Sequence, residues 1–103
     1  RIELQHIPAH CVHNAHMFYI KCHNLADRTA FIAHMRERDV QCVFHYVPLH
    51  SAPAGLRFGE FVGEDRYTTS ESDRLVRLPM YYRMSQKDCD TVIQAALDYF
   101  KAA

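Results

Sequence analysis

The last stretch of the chain constrains its architecture more than any other segment. From Gln86 to about Lys101, the apolar residues Val92, Ile93, Ala96, Leu97 and Phe100 recur at i, i+1, i+4, i+5 and i+8, which sets them on one stripe of a long α-helix. Such a helix cannot stand alone, because its stripe has to leave water against a second layer. Ser85 and Asp88, in capping-box spacing, mark its start.

The material for that second layer lies upstream. His16–Cys22 (HMFYIKC) is rich in aromatic and β-branched residues and short enough for a strand. A helix follows, with Asp27 as N-cap and an end near Arg38. Phe31, Ile32 and Met35 share one of its faces, while Arg36, Glu37 and Arg38 lie mostly away from it. Gln41–Tyr46 (QCVFHY) predicts a second strand that stops before Pro48, a residue with no amide hydrogen for a ladder. A short helix from Thr68, with Glu71 in capping-box spacing and Leu75 inward, then leads to a third short strand over Leu78–Tyr82. Pro79 predicts an edge position or a strand start there. The order predicts an α+β domain of two layers, a small three-stranded sheet covered by helices mainly on one face.

Two segments lack a period. Residues 1–14 hold three histidines and a proline and predict an irregular lead-in. Val47–Tyr67 contains Pro48, Pro53, Gly55, Gly59 and Gly63; at about 20 residues it is too long for a passive connector, and loops of that kind are functional or disordered. Phe58, Phe61 and Tyr67 on it are costly to leave in water and predict contact with another domain or subunit.

The chain's 103 residues suit one domain, and 49% apolar against 23% charged residues excludes intrinsic disorder. No run of about 18 apolar residues predicts a membrane span. Twelve basic residues balance twelve acidic ones, so net charge gives no steering toward nucleic acid. Cys11, Cys22, Cys42 and Cys89 contain no Cys-x-x-Cys pair and predict reduced thiols in a cytoplasmic protein. The opening RIELQHIPAH starts with Arg1 and has no apolar signal region, which predicts a piece of a longer chain.

Three groups of residues could carry chemistry. His10, His13 and His16 with Cys11 invite a zinc site, although their spacing fits none of the common finger patterns; surface or hydrogen-bonded histidines are the other reading, and no metal is predicted. A Cys/His nucleophilic pair is the second possibility, but Cys22, Cys42 and Cys89 sit in strand or helix patterns that suit small buried hydrophobes. The third is His45-Tyr46-Val47-Pro48-Leu49-His50, which ends a strand and enters the long loop. Two imidazoles and a phenol there offer hydrogen bonds to hydroxyl, phosphate or carboxylate groups. Packing of Tyr46 and His50 to anchor the loop accounts for them equally well.

The strings NAHMFYIK, DRTAFIAHMRERD, VFHYVPLHSAPAG, GEDRYTTSESDRLVRLPMYY and SQKDCDTVI, taken together and in this order, resemble the C-terminal region of the DegT/DnrJ/EryC1/StrS sugar-nucleotide aminotransferases over about residues 7–101. The resemblance implies that residues 1–103 are the single small C-terminal domain of a pyridoxal-phosphate (PLP) enzyme working as a homodimer. It implies glutamate as amino donor and a dTDP-4-keto-6-deoxy sugar as acceptor. It places the lysine that holds PLP in the large domain; Lys21, Lys87 and Lys101 do not lie in that context, and no glycine-rich phosphate cup is present. No catalytic residue is therefore expected in this chain. His45, Tyr46 and His50 are the residues that the resemblance sets beside substrate, and Met80–Tyr82 are structural. Asp39 stands where relatives often carry a helix-ending glycine, and aspartate tolerates the left-handed conformation needed there. The alternative is a free-standing ligand-binding or protein-interaction module that uses the aromatic loop.

Overall fold

In the computed structural model, which describes residues 2–102, Val76 lies fully buried at the centre of a small antiparallel sheet. Its strand, β4 (Leu75–Arg77), runs between β2 (Tyr19–Lys21) and β3 (Val43–Phe44), antiparallel to both. β1 (Glu3–Leu4) closes the other edge against β2, giving the order β1-β2-β4-β3. β2 and β3 are thus parallel, and α1 (Leu25–Arg36) joins them in a split β-α-β unit. The register lines up Leu4, Ile20, Val76 and Phe44 across the sheet. The strand period of two turns this row to a single face, where Ile20 and Val76 join the core.

The two-layer α+β architecture stands, with four strands instead of three. β1 falls inside the expected lead-in. The third strand is Leu75–Arg77 and not Leu78–Tyr82, because α3 (Thr68–Arg74) passes straight into the sheet at Leu75. Leu75 therefore opens a strand instead of facing inward from a helix. Pro79 follows the strand, and the chain turns at Tyr81, whose carbonyl accepts from the Met84 amide at 3.2 Å.

α1 starts at Asn24, not Asp27. The Asn24 side chain accepts from the Asp27 amide at 2.9 Å, and the Asp27 carboxylate accepts from the His23 amide at 2.9 Å. Asp27 thus works from the third position of the first turn, satisfying the amide that precedes the cap. At the other end Val40 N–H reaches Met35 O and Asp39 N–H reaches Arg36 O, both at 3.0 Å. Asp39 adopts φ 58°, the left-handed residue of a Schellman-type stop. Phe31 and Met35 are fully buried, as their spacing predicts.

α4 (Gln86–Ala102) begins as expected, with Ser85 Oγ accepting from the Asp88 amide at 3.0 Å. Its buried face is turned from the predicted stripe. Val92 and Ala95 are buried and Ala96, Tyr99 and Phe100 pack beside them, whereas Ile93 and Leu97 are 49% and 43% exposed. Tyr99 sets this rotation. Its ring lies edge-on to Phe31 at 5.3 Å, and its hydroxyl donates to the Asp27 carboxylate at 2.7 Å. Phe100 stacks on Phe31 at 5.3 Å, and His34 Nε2 lies 2.9 Å from the Ala95 carbonyl.

The long segment after β3 carries helical structure in its first half. It contains a 3₁₀ turn at Leu49–Ser51 and α2 (Pro53–Phe58), with Pro53 in the first turn, where its missing amide hydrogen is not needed. α2 lies so close to the turn that a Cβ on Gly55 would stand 1.5 Å from the Leu49 carbonyl oxygen. At α3, Thr68 does not cap the helix; Asp65 Oδ1 accepts from the Thr69 amide at 3.2 Å, and Glu71 pairs with Lys21 instead. Among the described residues no helix is long and apolar enough to cross a membrane.

Candidate functional site

β3 ends at Phe44, so the next two side chains are presented from the sheet edge. His45 is half-buried and its ring lies 4.4 Å from that of Tyr46. Its Nδ1 is buried with no hydrogen-bond partner among the described residues. A buried polar nitrogen left unmatched is uncommon, and each such atom calls for a reason. Tyr46 is 62% exposed, and its ring faces the Arg77 guanidinium at 5.5 Å. Its carbonyl accepts from the Ser72 hydroxyl, which ties the end of β3 to α3. Ser72 also offers its own carbonyl to Arg28 at 2.8 Å.

His50 sits in the 3₁₀ turn and is held by the far end of the long segment. Nε2 lies 2.8 Å from Asp65 Oδ2, and the Phe61 ring packs on the imidazole at 4.5 Å. Thr69 supplies Asp65 with both its amide and its hydroxyl. These bonds, the hydroxyl first and the imidazole after them, hold the Asp65 carboxyl below the usual aspartate range. Among the described residues no hydrogen bond or ring contact links His50 to His45 or Tyr46. The three predicted residues therefore form two neighbouring clusters, one on Arg77 and Ser72, the other on Asp65 and Phe61.

Asp65, Thr69, Ser72 and Arg77 are absent from the sequence expectation. Asp65 and Thr69 stand four apart, a spacing that fits an aspartate bonding into the first turn of α3, but the Thr68/Glu71 pattern beside them is the more familiar start signal. Arg77 carried no signal, since its place beside the Tyr46 ring arises only from the pairing of β4 with β3, where it stands opposite Val43.

A cleft of about 580 Å³ opens between β3, β4 and the start of α4. Arg77 lines it together with Phe18, Val43, Met80, Tyr81 and Asp88, and the Tyr81 hydroxyl donates to Asp88 at 2.6 Å. His45, Tyr46 and His50 are not in its wall.

Among the described residues no three of His, Cys, Asp and Glu converge as metal ligands. His16 Nδ1 instead lies beside Asn14 Oδ1, and His13 Nε2 lies 3.2 Å from Gln5. Cys22 and Cys42 are buried, and burial pushes their thiols up to about 12 and about 11. A nucleophilic cysteine needs the opposite shift.

The lysines do not fit a covalent hold on PLP. Such a lysine needs an amine that can lose its proton. Lys21 is raised above its usual value by hydrogen bonds to Glu71 and Glu3, at 2.7 and 2.9 Å. Lys87 and Lys101 are exposed on α4.

The four-stranded antiparallel sheet backed by helices has a counterpart among solved structures. The crystal structure of an aminotransferase TlmJ from Streptoalloteichus hindustanus shares it with a TM-score of 0.77 over 98% of this chain, at 19% sequence identity. This chain spans 26% of the length of that one. The model of the DegT/DnrJ/EryC1/StrS aminotransferase family matches residues 1–97, and the chain belongs to that family.

Proposed function

We propose that this chain is the C-terminal small domain of a PLP-dependent sugar-nucleotide aminotransferase, in which His45, Tyr46 and His50 line the substrate side of a pocket completed by a large domain. The observation that carries this reading is the HYVPLH segment, which follows the edge strand β3 and is fastened by Ser72, Asp65 and Phe61. A pocket wall needs such preorganisation, because orienting a bound substrate lowers the barrier only if the wall does not have to order itself. Family membership supports the aminotransferase part of the reading.

Glutamate is the proposed amino donor and a dTDP-4-keto-6-deoxy sugar the acceptor, with dTDP-4-amino-4,6-dideoxygalactose as product, in cytoplasmic synthesis of enterobacterial common antigen. The family is PLP-dependent in general, and the poor fit of Lys21, Lys87 and Lys101 supports a cofactor held by the large domain. Phe58 and Tyr67, 79% and 74% exposed, are assigned to contacts with that domain or with the second subunit of a homodimer.

The test is His50→Ala in the full-length enzyme. Turnover or substrate affinity falls while PLP stays attached; unchanged kinetics removes His50 from the site. The same exposed aromatics favour a second reading, a free-standing interaction module. The two separate on the coding sequence upstream of Arg1, which continues in frame into a cofactor-bearing domain only under the first.

A further inference from the structure

We infer that Asp65 is the positioning residue of His50, and that it turns the imidazole so that Nδ1, as a hydrogen-bond acceptor, faces the substrate and takes one of its hydroxyl groups. This deepens the proposed role of His50 and rests on that reading for the identity of the ligand.

The inference starts from valence. An ionised carboxylate only accepts hydrogen bonds, whereas a neutral imidazole has one N–H and one lone pair. Asp65 Oδ2 lies 2.8 Å from His50 Nε2, so in the neutral ring Nε2 carries the hydrogen and Nδ1 keeps the lone pair. Asp65 cannot turn away, because the Thr69 amide holds Oδ1 at 3.2 Å and the Thr69 hydroxyl donates to Oδ2. Phe61 covers the ring at 4.5 Å, which limits its swing. Nδ1 makes no hydrogen bond among the described residues, and it is not among their buried unmatched nitrogens. It is therefore the one ring atom that remains available.

The direction of that bond selects a chemical class. An acceptor nitrogen suits a donor such as a sugar hydroxyl and disfavours phosphate or carboxylate oxygens, which are acceptors themselves. Among the described residues, His45, with its unmatched Nδ1, has no carboxylate partner that would fix its tautomer in this way.

The test uses the full-length enzyme labelled with [15N]histidine, with His50 assigned from the spectrum of His50→Gln. Long-range 15N–1H spectra near pH 8 are expected to show His50 as the Nε2–H tautomer. In Asp65→Asn that preference weakens, and KM for the sugar nucleotide rises about tenfold with a smaller change in kcat, the size of one lost hydrogen bond. Should Asp65→Asn fail to fold, Thr69→Val serves instead: it shifts the tautomer in the same direction, and Thr69→Ser restores it. An Nδ1–H tautomer in the wild type, or an unchanged tautomer in both Asp65→Asn and Thr69→Val, overturns the inference. A correct tautomer combined with a kinetically silent His50→Ala overturns only the substrate-site reading and leaves the positioning in place.

Discussion

Glu3 and Arg74, which are 71 positions apart, meet with 2.5 Å between Oε1 and Nη2. Each has a second partner. Arg74 Nη1 lies 3.1 Å from Glu71, Glu71 lies 2.7 Å from Lys21, and Lys21 lies 2.9 Å from Glu3. Two carboxylates and two cations thus alternate around a closed ring that fastens β1 and β2 to the end of α3. Arg74 Nε adds a bond to the Cys22 carbonyl at 2.9 Å. The residues leading into β4 are in this way locked to the strands beside it, close to the segment that carries Asp65 and Thr69.

The ring predicts acid lability. Hydrogen bonds from Lys21 and then Arg74 lower the Glu3 carboxyl from its ordinary 4.5 to about 2, and Lys21 lowers Glu71 as well. A carboxyl whose folded pKa is depressed adds stability that is present above its unfolded value and lost as pH falls toward the folded one. The melting temperature should therefore drop between about pH 4.5 and pH 2, and drop less steeply in Glu3→Gln. Melts followed by circular dichroism across that range check this; identical slopes for the two proteins would rule the ring out as the cause. Because Glu3 is exposed, added salt should narrow the difference.

Rotation of α4 predicts an asymmetry between Ile93 and Ala95, two positions apart. Ile93, half exposed, should tolerate Ile93→Gln within about 0.5 kcal/mol, as surface substitutions do. Ala95→Leu should cost about 1–3 kcal/mol, because it forces atoms into a filled core beside the His34 contact. Urea unfolding of the two variants compares them directly. The reverse order would restore the stripe that apolar spacing alone predicts.

Where sequence pattern succeeded and where it did not has a physical pattern of its own. Phe31 and Met35 were readable because a helix face needs only spacing. Tyr99 was not, since its hydroxyl looks polar until Asp27 is seen to accept from it across the core. β1 is two residues long, too short for alternation to register, and its place depends on Lys21 and Arg74 far along the chain. At the candidate site, the strand end and following loop marked His45, Tyr46 and His50. Asp65 stayed hidden because its partner is 15 residues away, across a segment whose prolines and glycines erase any period.

Gly55 predicts a steric failure close to His50. An alanine Cβ would fall 1.5 Å from the Leu49 carbonyl oxygen, a backbone atom that cannot step aside. Gly55→Ala should push α2 off the 3₁₀ turn at a cost of about 1–3 kcal/mol. Limited proteolysis between residues 49 and 58 should speed up, while cleavage elsewhere stays slow. Proteolysis at the wild-type rate would mean that the contact yields without consequence.

The four thiols should separate by reactivity. Thiolate is the attacking form, so a thiol held near 12 or 11 by burial reacts only after the surrounding structure opens. Cys22 and Cys42 lie in the core with Phe31 and Val76, whereas Cys11 is exposed and Cys89 half-buried. A disulfide reagent such as DTNB at pH 8 should therefore label Cys11 within the mixing phase, Cys89 more slowly, and Cys22 and Cys42 only when urea unfolds the chain. Since reaction of the last two requires opening of the core, their rate should follow core stability and accelerate in Ala95→Leu but not in Ile93→Gln. Fast labelling of Cys22 in the folded protein would contradict its burial in the core between the sheet and α1, and with it the placement of the sheet that supports the candidate site.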